Sequence, residues 1–147
     1  ENNRITLMDA YMIETIRGNG ISDAELLSRI EQKDISPWKN VKPTFDFNEL
    51  VKLYDQNPST FTSILSDGYT VKFITMKGLQ NLLKMKFDKI QNRDYQLTDN
   101  GISHLKIESE SESYPALKQM LSSNWVIHEI TKQGGSESNQ VISILLV

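Results

Sequence analysis

Two stretches of this chain, 56 residues apart, follow the same pattern, and that repetition limits the available folds more than any other feature. Leu65-Ser66-Asp67-Gly68-Tyr69-Thr70-Val71-Lys72-Phe73-Ile74-Thr75 runs parallel to Leu121-Ser122-Ser123-Asn124-Trp125-Val126-Ile127-His128-Glu129-Ile130-Thr131. A Leu-Ser pair, a Gly or Asn, an aromatic, a β-branched aliphatic and an Ile-Thr pair coincide, and Gly78 meets Gly134. Upstream, Phe61, Ile64 and Leu65 correspond to Leu117, Met120 and Leu121. Each copy reads as an amphipathic helix ending at a residue tolerant of positive φ, Gly68 or Asn124. An aromatic then leads an extended strand back across a sheet. The pseudo-repeat spans 58–75 and 114–131, with Tyr69 to Thr75 expected to form half of the sheet. In that register His128 takes the place of Lys72, so both are expected on one partly exposed face.

The flanking segments set the fold class. Thr6 caps a helix with Asp9 in its first turn and Met8, Tyr11, Met12, Ile13 and Ile16 at helical spacing, and Gly18-Asn19-Gly20 ends it. Ser22 and Glu25 form a capping box ahead of Leu26, Leu27 and Ile30, which completes a helical hairpin. Lys33 to Thr44 reads as a connector holding Trp38. Asp46 and Glu49 form a second capping box, followed by Phe47, Leu50, Val51 and Tyr54, and Asn57-Pro58 starts the next helix. After Thr75 the pattern is helical through Leu79, Leu82, Leu83 and Phe87. A short strand follows at Tyr95 to Thr98, and then a helix after Gly101 that carries His104. Glu108 to Glu112 reads as an exposed acidic linker and Gly134 to Asn139 as a hairpin loop. Val141 to Val147, apolar on both faces, belongs inside a sheet. The fold expected is α+β, one domain over 1–147, with a helical N-terminal third and a small, mostly antiparallel sheet with helices. Its sub-regions are 1–44 (helical hairpin and connector), 45–107 (helices plus strand unit) and 113–147 (helix plus β-hairpin).

Composition removes several kinds of chemistry. With no cysteine among 147 residues there is no thiolate nucleophile, iron–sulfur cluster or thiolate zinc site. His104 and His128 are isolated from one another and from carboxylates at ligand spacing, so no metal site is read. Neither a nucleophile elbow nor a phosphate loop occurs, and the carboxylate pairs are accounted for by capping or solvation. The chain is therefore read as a non-enzyme without cofactor. No apolar run is long enough to span a membrane, and the one sequon, Asn57-Pro58-Ser59, is blocked by its proline. A cytoplasmic location is expected, with processing left open because the chain starts at Glu1. A Lys-, Asn- and Ile-rich composition suggests a bacterial or phage origin.

The net charge of −3 hides a strong local contrast. From Thr70 to Arg93 six cations, Lys72, Lys77, Lys84, Lys86, Lys89 and Arg93, face Asp88 alone, giving +5 between acidic flanks. Such a patch attracts phosphate or an acidic surface whatever the total charge. The helix capped by Thr75 leaves Lys77, Gln80, Asn81 and Lys84 on its polar face, side chains suited to phosphates and base edges. Tyr95-Gln96-Leu97-Thr98-Asp99-Asn100-Gly101 follows. A basic amphipathic helix followed by this motif resembles the recognition helix, wing and closing helix of winged-helix DNA-binding domains. Met12 through Leu27 is similar to the opening helices of the same class. The resemblance implies that Lys77, Gln80, Asn81 and Lys84 face a major groove and that Lys89 and Arg93 lie near phosphates. With Lys72, these are the candidate nucleic-acid-binding residues. The leading expectation is a non-enzymatic regulatory or accessory protein that binds a macromolecule, either protein or nucleic acid. The alternatives are a winged-helix-like DNA-binding transcriptional regulator, and a small-ligand protein or enzyme in which His104 or His128 approaches a carboxylate. A homodimer formed through the sheet edges is left open.

Overall fold

The computed structural model describes residues 3–108, 112–132 and 139–147, with the side chains of 131, 132 and 139 left aside. The chain forms two compact units, 1–70 and 71–147, so the division falls inside the sub-region 45–107 expected from sequence. Among the described residues no helix is long and apolar enough to cross a membrane.

The first unit holds β1 (Arg4–Ile5), α1 (Leu7–Gly18), α2 (Asp23–Gln32), a 3-10 turn (Ser36–Asn40), α3 (Asn48–Gln56) and α4 (Pro58–Asp67). Side chains start most of these helices by taking up amides that have no partner inside the helix. Thr6 accepts from the Asp9 N–H at 3.0 Å while the Asp9 carboxylate takes the Thr6 N–H, a full capping box. Asn57 accepts from the Thr60 N–H at 3.1 Å, with Pro58 in the first turn. Two expected boxes are incomplete. Ser22 accepts from the Glu25 N–H, but the Glu25 carboxylate turns outward to Arg29 at 3.3 Å. Phe47 already has helical angles, so Asp46 reaches only the Asn48 N–H, and Glu49 pairs with Lys52 at 3.0 Å. α3 packs on α1, α2 and α4 over a core that includes Ile13, Ile16, Leu26, Ile30, Trp38, Phe47, Leu50 and Phe61.

One buried charge interrupts this core. Glu14, 4% exposed, accepts from the Tyr69 hydroxyl at 2.6 Å and from Arg17 at 3.1 Å through the same oxygen. Arg17 also grips Asp23 at 2.9 Å and the Leu65 carbonyl at 3.1 Å. Burial works against the guanidinium charge, but Asp23 and Glu14 outweigh it and hold Arg17 above its ordinary value. Burial, reinforced by the Glu14 carboxylate, pushes the Tyr69 phenol far up, so it stays a hydrogen-bond donor.

The chain passes between units at β2 (Thr70–Val71). The second unit comprises α5 (Met76–Phe87), β3 (Gln96–Thr98), β4 (Gly101–Glu108), α6 (Ser113–Met120), β5 (Trp125–Lys132) and β6 (Asn139–Leu146). Its sheet is antiparallel in the order β3-β4-β6-β5, and α6 packs on β4. The doubly apolar β6 lies centrally, as its pattern requires. The loop expected between Gly134 and Asn139 lies largely outside the described residues.

Three differences from the sequence reading have local causes. The segment after Gly101 is a strand, not a helix, and His104 sits at φ 58 in a bulge between Ile102 and Leu105. The bulge adds a residue between two buried side chains, so a strand shows the three-residue spacing of a helix. The helix-to-strand order recurs in both halves of the pseudo-repeat, but β2 is short. Its Thr70 N–H donates to the Asn3 carbonyl at 2.9 Å in a two-stranded ladder with β1. Tyr69 to Thr75 therefore stays outside the four-stranded sheet, and Lys72 lies in a bend while His128 lies on β5.

Asn124 is not among the positive-φ residues, and α6 ends in extended backbone at Leu121. The Asn124 side chain has a different use. Its Nδ2 donates to the Ile74 carbonyl at 3.0 Å, which also accepts from Trp125 Nε1 at 2.8 Å. The Ile74 N–H donates to Ser122 Oγ at 3.0 Å, and that hydroxyl donates to Asn124 Oδ1.

The α6–β5 pairing also gives a pH dependence. The Tyr114 hydroxyl donates to Glu129 at 3.0 Å, and burial followed by that carboxylate pushes the phenol up to about 12. A raised folded-state value stabilises fully below the ordinary 10.0 and is lost as pH climbs toward about 12. Tyr114→Phe should flatten the fall in urea midpoint over that alkaline window; an unchanged slope would show that Tyr114 does not contribute.

Candidate nucleic-acid interface

The basic segment becomes a site through one helix and the turn that follows it. Thr75 starts α5 by accepting from the Gly78 N–H at 3.0 Å, and Leu79, Leu82 and Leu83 bury the opposite stripe. Lys77 and Lys84 are left exposed, with Gln80 and Asn81 half-buried between them. α5 stops at Asp88, whose φ of 57 reverses the chain, and Asn92 at φ 73 turns it again. The carboxylate of Asp94 closes the turn by accepting from the Ile90 N–H and from Arg93 Nε, each at 2.8 Å. The Asp94 N–H donates to the Ile90 carbonyl at 2.9 Å, and the Asn92 N–H to the Tyr95 carbonyl at 2.7 Å. Burial alone would raise the Asp94 carboxyl. The Ile90 N–H and Arg93 reverse that and, with the field of Lys89, hold it below the usual carboxylate range.

The turn folds back beside α5 and makes an open cleft of about 210 Å³. α5 contributes Lys77, Gln80, Asn81 and Lys84. The turn contributes Lys89, Ile90 and Gln91, with the buried Tyr95 completing the lining. Gln80 hydrogen-bonds the Tyr95 hydroxyl, whose proton is held above the ordinary phenol range by burial. No carboxylate lines the cleft, and among the described residues Lys77 and Lys84 enter no ion pair.

Five of the seven residues proposed from sequence thus meet in one place: Lys77, Gln80, Asn81, Lys84 and Lys89. Lys72 is exposed in the bend before α5 and does not line the cleft. Arg93 is held by the turn, paired with Asp94 at 2.8 Å and Asp88 at 3.5 Å, with Asp94 foremost in raising its guanidinium. Sequence reasoning missed Ile90, Gln91 and Tyr95. The signal for them was the pair Asp88 and Asn92, residue types that adopt left-handed angles and so announce a reversal.

Neither histidine joins the cleft. His104 is exposed beside Ser103 Oγ at 3.1 Å, and His128 is exposed on β5. Among the described residues no group of three His, Cys, Asp or Glu is placed to hold a metal ion. Comparison of the chain with protein-family models, curated proteins and solved structures finds no match.

Proposed function

We propose that this chain is a non-enzymatic, macromolecule-binding protein that holds a nucleic acid in the α5 cleft by its phosphates. The observation that supports this is the convergence of Lys77, Lys84 and Lys89 on one depression without a carboxylate. A polyanion bound there has its phosphates neutralised by the three ammonium groups and releases the counterions it carried. The interleaved amides of Gln80, Asn81 and Gln91 can both donate and accept, which suits sugar and base edges as well as phosphate oxygens. The winged-helix resemblance implies a closing helix where strand β4 runs, so the proposal rests on the cleft and not on that resemblance.

The test is titration of a labelled oligonucleotide, single-stranded and duplex, at several salt concentrations. About three lysine–phosphate contacts should give a slope of log K against log salt of roughly −2 to −3. Lys77→Glu with Lys84→Glu should weaken binding at least about tenfold at low salt and flatten that slope. Absence of binding to both oligonucleotides at low salt would remove the proposal.

A further inference from the structure

We infer that the cleft takes one unstacked nucleotide of a single-stranded nucleic acid, a reading that rests on the proposal that it binds nucleic acid. The first ground is shape. A helix reads duplex DNA by entering a major groove about 12 Å wide, for which its polar face must stand clear. The polar face of α5 instead lines a concavity whose remaining lining, Lys89, Ile90, Gln91 and Tyr95, comes from the turn after the helix. That turn is fixed, because Asp94 ties Ile90 and Arg93 together.

Size and chemistry agree with this. About 210 Å³ is below the roughly 300–1,000 Å³ of pockets that enclose whole drug-sized ligands, so a part of a larger molecule has to enter. A site for phosphate alone has no use for an apolar wall or for amide acceptors. Here Ile90 is 36% exposed at the cleft, beside the side-chain amides of Gln80 and Gln91. An apolar surface beside amides that can donate and accept suits a base splayed out of a single strand and recognised on its edge. Lys77 and Lys84 lie seven residues apart, about 10 Å along α5, and so bracket the cleft where the phosphates before and after the held base would run.

The experiment measures fluorescence anisotropy of a labelled mixed-sequence twelve-nucleotide single strand and of its duplex at one salt concentration, with inorganic polyphosphate as competitor. Single strand bound at least about tenfold more tightly than duplex, with polyphosphate a poor competitor, is the expected result. Gln80→Leu and, separately, the exposed-site change Gln91→Ala should each weaken single-strand binding several-fold without altering the salt slope, circular dichroism confirming the fold. Duplex bound as tightly as single strand overturns the inference and leaves nucleic-acid binding standing. Polyphosphate competing equally, phosphate for phosphate, also overturns it, because the cleft would then recognise charge alone. Binding of none of the three removes both this inference and the proposal beneath it.

Discussion

Gly101→Ala is expected to cost about 3 kcal/mol or more, enough to leave a domain of ordinary stability largely unfolded at mild denaturant concentrations. Gly101 starts β4 at φ +156, opposite Leu145 of the central strand β6. A Cβ there would lie 2.1 Å from the Ile144 carbonyl oxygen and 2.9 Å from the Leu145 Cα. Both obstacles are backbone, so relief requires separating β4 from β6, whereas a flexible side chain could simply swing aside. Strain at an angle disfavoured for any L side chain adds to the overlap. Gly18→Ala is the matched control. It lies at the end of α1 with nothing within 4 Å of the new methyl, so it should be neutral or stabilise by up to about 1 kcal/mol. Urea denaturation of both variants checks the pair; a Gly101→Ala loss under about 1 kcal/mol would contradict the clash.

The second large effect lies in the first unit. Arg17→Met should destabilise by about 3 kcal/mol, since it leaves Glu14 charged inside the core without its cation. The low end of the range for broken buried pairs applies because the Arg17 side chain is 23% exposed and the Tyr69 hydroxyl still reaches Glu14. Removing both charges, as Glu14→Gln with Arg17→Met, should recover part of that loss. A double-mutant cycle therefore expects a coupling of at least about 1 kcal/mol, and strict additivity would show that the pair does not act as a unit.

Features that depend on near neighbours in sequence were the ones sequence could reveal. Thr6, Ser22, Asn57 and Thr75 all cap the helices expected of them, because a cap needs only the next three residues. The central place of β6 was legible because both of its faces are apolar. The bulge at His104 was hidden, since one inserted residue turns strand spacing into helix spacing. Asn124 was misread for a different reason. The residue type fits a left-handed angle, but its partner is the Ile74 carbonyl, 50 residues away. The same division runs through the cleft. Lys77, Gln80, Asn81 and Lys84 follow from helical period alone, whereas Ile90 and Gln91 join them only through the reversal at Asp88 and Asn92. Arg93 looked available because its charge is visible in sequence and its ion pairs, with Asp94 and Asp88, are set by that same reversal.

Ile74, just before α5, has both its N–H and its carbonyl engaged by side chains from the end of α6 and the start of β5. At the other end of the helix, the Asp94 turn is tied to β4 through the Lys106 N–H. The helix is thus moored at both ends before any ligand arrives. On the proposed function a ligand entering the cleft has little backbone to organise, and the ordering cost on the protein side falls on the exposed lysine and glutamine side chains. Association should then be fast and limited by encounter, with dissociation setting the affinity. Amides from Gly78 to Leu83 should already be protected from exchange with the cleft empty, and filling it should slow them further only by the stability that the ligand adds.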